Sequence, residues 1–294
     1  METSSLTLKQ RIYRKTCYLF GRLIPDRVYL KMMYQVNMGK KLNLKNPVTF
    51  NEKLNWLKLY DRKDIYTKMA DKYEVREIIS QKLGEEYLIP LLGVWDHVED
   101  IDFSQMPDQF VLKCTHDSQS VVICKDKSKF DEKAAIKKLS DAMKNNYYRY
   151  NREWVYKNIK PRVIAEKYME DSIDGELIDY KFFCFDGVPK AMYVATDRGI
   201  GETKFDYFDV SFNHLNLIQH YPNATKPIRK PMNFDRMLEL SAILSKDIPH
   251  VRVDFYEVDG RLYFGELTFY HLGGYVPFEP ESWDEVFGEW LKIQ

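Results

Sequence analysis

The 294 residues are 45% hydrophobic and 30% charged, the composition of a globular chain and not of a disordered or fibrous one. Lys plus Arg and Asp plus Glu number 44 each, so the chain has no overall attraction for nucleic acid, and no nucleic-acid partner is expected. Cys17, Cys114, Cys124 and Cys184 are widely spaced without a C-x-x-C pair, which reads as free thiols in a reducing compartment rather than disulfides or zinc ligands.

The N-terminus lacks the apolar run and cleavage site of a signal peptide, and no stretch approaches the roughly 18 apolar residues of a membrane span. The expected location is the cytoplasm. The first 45 residues depart from charge balance: Lys9, Arg11, Arg14, Lys15, Arg22, Arg27, Lys31, Lys40, Lys41 and Lys45 face only Glu2 and Asp26. With apolar residues at helical spacing, this basic segment reads either as a helical cap on the body or as a peripheral contact with the inner face of a membrane.

From Asn46 to Leu83 the pattern is mostly helical, with Thr49 placed to cap a helix that starts at Phe50. Leu88 to Val94 reads as a short strand or loop. After Pro107 the period changes: strands are expected at Phe110–Cys114, Val121–Cys124 and Val163–Tyr168, with a helix over Asp131–Tyr148. Asp186-Gly187 marks a hairpin between Tyr180–Phe185 and Val188–Val194. A helix over Asn233–Lys246 precedes a last hairpin, Val251–Val258 and Leu262–Thr268, around Asp259-Gly260. The sum is an α+β fold of two antiparallel β-rich lobes with helices and a cleft between the sheets.

The last hairpin carries the sharpest chemical signal. Arg252 and Asp254 share one face of their strand, as Glu266 and Thr268 do on the partner. Two carboxylates and a hydroxyl on adjoining strands suit Mg²⁺ bound to a nucleotide phosphate, and the arginine suits a developing phosphate or acyl phosphate. A strict two-residue turn at Asp259-Gly260 would pair Asp254 with Gly265 and set the carboxylates on opposite faces. A shared site therefore predicts a three-residue loop with the extra residue absorbed at Gly260.

Lys113 ends a strand and leads into the polar loop Thr115–Ser120, where it can reach phosphates. Glu166, Lys167, Tyr168 and Met169 end another strand and can offer backbone groups to a purine edge. Asp179 and Lys181 place an acid and a base on one strand face. His116 and His271 sit in loops beside these strands as an acid, a base, a substrate contact or a hydrogen-bonded structural group. Neither a G-x-x-x-x-G-K-[ST] loop nor a G-x-G-x-x-G fingerprint occurs, which disfavours P-loop and Rossmann nucleotide sites.

Taken in order, N-P-V-T-F-N-E-K-L-N-W-L-K-L-Y-D-R at 46–62, A-D-K-Y-E-V-R at 70–76, Y-L-I-P-L-L-G-V-W-D at 87–96, F-V-L-K-C-T-H at 110–116, D-Y-K-F-F-C-F-D-G at 179–187 and V-R-V-D-F-Y through G-E-L-T-F at 251–269 resemble the TupA-like ATP-grasp family. That family belongs to teichuronopeptide and other bacterial surface-polysaccharide pathways. The resemblance implies ATP and Mg²⁺ clamped between two β-sheet lobes. A helical N-terminal segment (1–60) and a small α/β lobe (61–108) would precede the ATP-grasp lobes (109–294), divided into lid and hinge (109–168) and metal-binding sheet (169–294).

It further implies Asp254 and Glu266 as metal ligands, and Arg252, Lys181 and His271 at the catalytic centre. Lys113, His116, Ser118, Glu166, Lys167, Tyr168, Met169, Asp179 and Lys181 would contact the nucleotide, Asp179 through the ribose. The implied reaction is carboxylate–amine ligation through an acyl phosphate, joining an amino acid or amine to a uronic-acid carboxylate of a glycan. A glycosyltransferase or sugar kinase on the same scaffold, or a non-catalytic relic, are the alternatives. The chain departs from the family pattern at its glycine-poor lid (His116–Ser120), at Thr268, and at Tyr270-His271-Leu272-Gly273-Gly274.

Overall fold

The computed structural model of the chain describes residues 21–118, 120–172, 175, 177–197 and 201–293. Helix α1 (Asp26–Met38) buries Tyr29, Leu30, Met33 and Tyr34 against Leu42, Leu44 and Tyr275. The Tyr29 hydroxyl donates to the Tyr150 carbonyl at 2.7 Å, and the Arg152 guanidinium lies 4.1 Å from the Tyr29 ring. The described part of the basic segment is thus packed on the body. Lys9, Arg11, Arg14, Lys15, Cys17 and the Arg22 side chain lie outside the described residues. No described helix is long and apolar enough to cross a membrane.

Helix α2 (Phe50–Tyr60) begins as its sequence dictates. Thr49 accepts from the Glu52 amide while Glu52 returns to the Thr49 amide, a capping box worth about 1 kcal/mol. Phe50, Leu54 and Leu57 form its apolar stripe. Phe50 enters an aromatic cluster with Phe183, Phe185 and Phe287. Helices α3 (Asp64–Ala70) and α4 (Val75–Lys82) follow.

The first sheet contains β1 (Leu91–Trp95), β2 (Phe110–Cys114), β3 (Val122–Cys124) and β4 (Val163–Lys167), in the order β1-β4-β2-β3, with antiparallel pairs throughout. Phe110, Leu112 and Cys114 pack with Leu139 of α5 (Glu132–Met143), which leaves the alternate positions Val111 and Lys113 on the opposite face. The single helix expected over 131–148 is instead two, α5 and the short α6 (Tyr148–Asn151). Asn146 Oδ1 accepts from the Tyr148 amide at 3.1 Å, and this local bond competes with helix continuation.

The second sheet contains β5 (Asp179–Phe185), β6 (Val188–Thr196), β7 (Lys204–Asp209), β8 (Val251–Val258) and β9 (Arg261–Thr268), in the order β7-β6-β5-β8-β9. Helix α7 (Phe234–Ser245) covers one face, where Phe182, Phe234 and Phe255 meet. Helices α2 and α8 (Ser282–Trp290) cover part of the other, where Phe183 meets Phe50 and Phe287. Strand β7 and helix α8 were not expected from the sequence. The acids in β7 mask its period, because Asp206 is itself buried, accepting from the Ala224 amide at 3.0 Å.

The last hairpin corrects one expectation and satisfies the reason for it. Val258 pairs with Arg261, so Asp259 and Gly260, both at positive φ (50° and 75°), make a two-residue turn. The expected three-residue loop is absent. Phe255 nevertheless pairs with Phe264 while Asp254 pairs with Glu266, so the extra residue is Gly265, inside β9. A Cβ there would stand 3.1 Å from the Asp254 carbonyl oxygen and 3.2 Å from the Tyr256 ring, and glycine avoids that crowding. The bulge returns Glu266 and Thr268 to the face that carries Asp254 and Arg252.

Candidate functional site

On that face the pairing register places Lys181 opposite Asp254, Asp254 opposite Glu266, and Arg252 opposite Thr268. Arg252 binds Asp254 through both arms, Nε to Oδ1 at 2.7 Å and Nη2 to Oδ2 at 2.6 Å. Its Nη2 also donates to Glu266 Oε1 at 3.1 Å and Thr268 Oγ1 at 2.9 Å. Lys181 donates to Asp179 Oδ1 at 3.1 Å and to Asp254 Oδ2. Three carboxylates and two cations are thereby tied into one network on three strands. Such a network is held at low cost only while every member is paired.

Burial opposes the charge on Lys181, but Asp179 and Asp254 outweigh it and keep the ammonium raised. Burial likewise opposes the Arg252 charge, and Asp254 overcomes it. Burial would lift the Glu266 carboxyl, yet Lys72, Lys181, Arg252 and the Thr268 hydroxyl hold it well below the usual carboxylate range. Glu266 keeps 34% of its side chain open, whereas Asp254 keeps 1%. The two acids are therefore unequal as metal ligands. Glu266 keeps an open side, while a cation at Asp254 Oδ2 competes with Lys181.

Lys72 was not singled out from the sequence. Its amide donates to the Thr115 carbonyl at 3.2 Å, its ammonium donates to the Asp117 carbonyl, and its charge acts on Glu266. It stands between the lid loop and the second sheet and raises the local cations to three. Only its place in A-D-K-Y-E-V-R hinted at this. Three cations against three carboxylates leave the cluster neutral, so a polyphosphate entering here needs metal cations of its own. Among the described residues no group of three or more His, Cys, Asp or Glu could cage a metal. Glu266, Asp254 and phosphate oxygens together are the kind of shell Mg²⁺ takes.

On the first sheet, Lys113 Nζ lies 2.6 Å from Glu166 Oε2 and Arg76 Nη1 lies 3.3 Å from Glu166 Oε1. The Glu166 side chain, expected only as a strand end offering backbone groups, is thus a buried counter-ion for two cations. Lys167 is exposed and its amide is spent on the Pro90 carbonyl at 3.0 Å. The Tyr168 hydroxyl donates to Glu170 at 2.7 Å, and Met169 is half-buried beside it. Ser118 donates to the Tyr147 hydroxyl at 2.8 Å.

Three of the expected site residues are engaged inside the protein. His116 is buried with its Nε2 shared between the Ala142 and Asn145 carbonyls, each at 3.2 Å, so it secures the end of α5 and not a nucleotide. Asp179 is buried on the second sheet beside Lys181, not free to hold ribose hydroxyls. His271 is buried, and burial with the Arg252 charge pushes its ring well below the ordinary histidine value. Its Nδ1 lies 3.1 Å from Arg252 Nη1 and its Nε2 3.0 Å from Gln219 Oε1. Since Arg252 can only donate, Nδ1 accepts and Nε2 carries the proton.

A family profile described as TupA-like ATP-grasp matches residues 52–292. The chain belongs to that family. No curated protein was found to match it. Among solved structures, it is similar to a D-alanine–D-alanine ligase from Bacillus anthracis at 17% identity and TM-score 0.41, over 68% of this chain and 57% of that one. A D-alanine–D-alanine ligase from Helicobacter pylori follows at 14% and 0.40, over 82% and 69%. A D-cycloserine synthetase gives 15% and 0.39, over 86% and 73%. The chain spans little more than half the length of the first of these.

Proposed function

We propose that the chain is an ATP- and Mg²⁺-dependent carboxylate–amine ligase joining an amino acid or amine to a uronic-acid carboxylate of a bacterial surface polysaccharide or its precursor. The observation that carries this reading is Arg252, fixed by Asp254, Glu266, Thr268 and His271 on the face where Glu266 opens. Family membership supplies the nucleotide. The substrate carboxylate would take the γ-phosphoryl group as ADP leaves. The amine nitrogen would then attack the acyl carbon, phosphate would leave with the carboxylate oxygen, and the nitrogen would lose a proton.

Glu266 and Asp254 would hold Mg²⁺, which neutralises phosphate oxygens when bound. Arg252 and Lys181 stand beside them to meet the charge on the moving phosphoryl group, and Lys72 approaches from the lid side. Lys113 is placed to turn from Glu166 to phosphate. His271, with both ring nitrogens committed, aims Arg252 and does not take the proton. We assign the domain limits at 60 and 108, and any membrane contact through the basic N-terminus, to the same reading.

Mass spectrometry after incubation with ATP, a uronic-acid oligosaccharide and mixed amino acids tests it. The expected product weighs the sum of acid and amine less one water, with ADP formed only when both are present. A phosphorylated product without amine would point to a kinase instead. Release of a nucleoside diphosphate such as UDP or GDP from an added sugar nucleotide, as its sugar passes to the glycan, would point to a glycosyltransferase.

A further inference from the structure

Helix α2 carries a second stripe, polar and fully inside. Asn51, Asn55 and Lys58 recur at intervals of four and three, so they share one helical face, and all three are buried. Each donates to the segment that follows β9. Lys58 Nζ reaches the Gly273 carbonyl at 2.6 Å, Asn55 Nδ2 the Gly274 carbonyl at 2.9 Å, and Asn51 Nδ2 the Val276 carbonyl at 3.2 Å. Lys58 uses its remaining hydrogens on the Asn151 carbonyl at 3.0 Å and Asn55 Oδ1 at 3.2 Å. Its ammonium lies 4.3 Å from the Tyr275 ring centre.

The segment so held is unusual. Leu272, Gly273 and Gly274 have φ of 47°, 65° and 66° in succession. A left-handed leucine costs about 1–2 kcal/mol, and such a backbone persists only where its surroundings over-determine it. A Cβ on Gly273 would stand 2.7 Å from Asn151 Nδ2, and one on Gly274 would stand 2.9 Å from Asn55 Nδ2. His271, at the start of this run, is the residue that touches Arg252.

We propose that the Asn51–Asn55–Lys58 stripe is a template that sets the course of residues 272–276 and, through His271, the aim of Arg252, with Lys58 as its principal positioning residue. No stripe residue needs to touch substrate. Their work is to keep the arginine from rotating away from Asp254 and Glu266. The catalytic part rests on the ligase reading above, whereas the backbone part does not.

Three variants test it: Lys58→Met, Asn55→Leu, and Lys58→Met combined with Glu153→Gln, since Glu153 is the buried acid whose charge acts on Lys58 and which accepts from Asn151 Nδ2 at 3.1 Å. Lys58→Met is expected to lower kcat about 100-fold, the scale of a slight misplacement, with the KM for ATP unchanged. Asn55→Leu, lacking one bond, should lower it about tenfold. The double variant should regain thermal stability over Lys58→Met without regaining kcat, which separates positioning from simple charge balance. Amide exchange over 272–276 should quicken in all three. If the wild type proves to have no amine-dependent turnover, the ligase reading fails and the exchange arm still decides the template. Unchanged exchange in well-folded variants, or kcat recovering along with stability in the double variant, would overturn the proposal.

Discussion

The two sheets of the cleft carry charge in different ways. The second sheet ties Asp179, Lys181, Asp254, Arg252 and Glu266 together across three strands, with Thr268 and His271 at the edges. The first sheet has one small cluster, Glu166 between Lys113 and Arg76, whose cations keep part of their surface. The second is built in advance and cannot cheaply lose a member that is fully buried. The first holds a lysine on a counter-ion that it can exchange for a ligand. The contrast is between a rigid sheet and a compliant one, which the proposed ligase would use as transfer centre and nucleotide side, and each prediction probes one half of it.

The largest effect belongs to Asp254→Asn. It should abolish most turnover, about 10³-fold in kcat, and cost about 3–5 kcal/mol by leaving Arg252 and Lys181 buried without their partner. Urea denaturation and ADP release measure the two losses. Glu266→Gln should cost about 10²–10³-fold in kcat while stability stays within about 1 kcal/mol, because this acid keeps an open side. Equal stability losses in the two variants would erase the distinction between them.

Acid should find the second sheet first. Burial lowers His250 to about 3, and burial with the Arg252 charge lowers His271. Both are neutral in the fold and gain a proton on unfolding below about 6.5. Their contribution is complete above that pH and is lost as pH falls, at about 1.4 kcal/mol per pH unit for each. Amide exchange at pH 7 and pH 5 should show β8 losing protection more than β4. The smallest effect is Lys113→Met, expected to raise the KM for ATP about tenfold with kcat and melting temperature nearly unchanged. A large stability loss there would make the first sheet as rigid as the second.

Much of the fold was legible because local rules coincide. Thr49 and Glu52 announce α2, and the two Asp-Gly pairs announce their hairpins. The need for one extra residue to bring Asp254 and Glu266 onto one face was readable from alternation, but that residue was expected at Gly260 in the turn and is Gly265 within the strand. A turn has a recognisable composition, whereas a bulge shows only in pairing. The internal partners of His116, Asp179 and His271 were hidden for a common reason. Sequence gives a residue's chemistry but not its burial, and burial has committed each of them to internal partners. The polar stripe of α2 was equally hidden, since Asn51, Asn55 and Lys58 look like a solvated face.

Gly265 also constrains how this hairpin can change. Residues 266 and beyond are one step out of phase with residues 264 and before, so the strand is two half-strands of opposite parity. Deleting Gly265 alone would leave the Asp259-Gly260 tip in place and close the bulge, with Glu266 still opposite Asp254 in a regular ladder, whereas one more residue beside it would rotate Glu266 and Thr268 to the α7 side. Adding two residues between the bulge and the tip would spare the acid's orientation, adding one would not, and removing one would only consume the bulge. The site is thus protected by a counting rule as well as by its side chains.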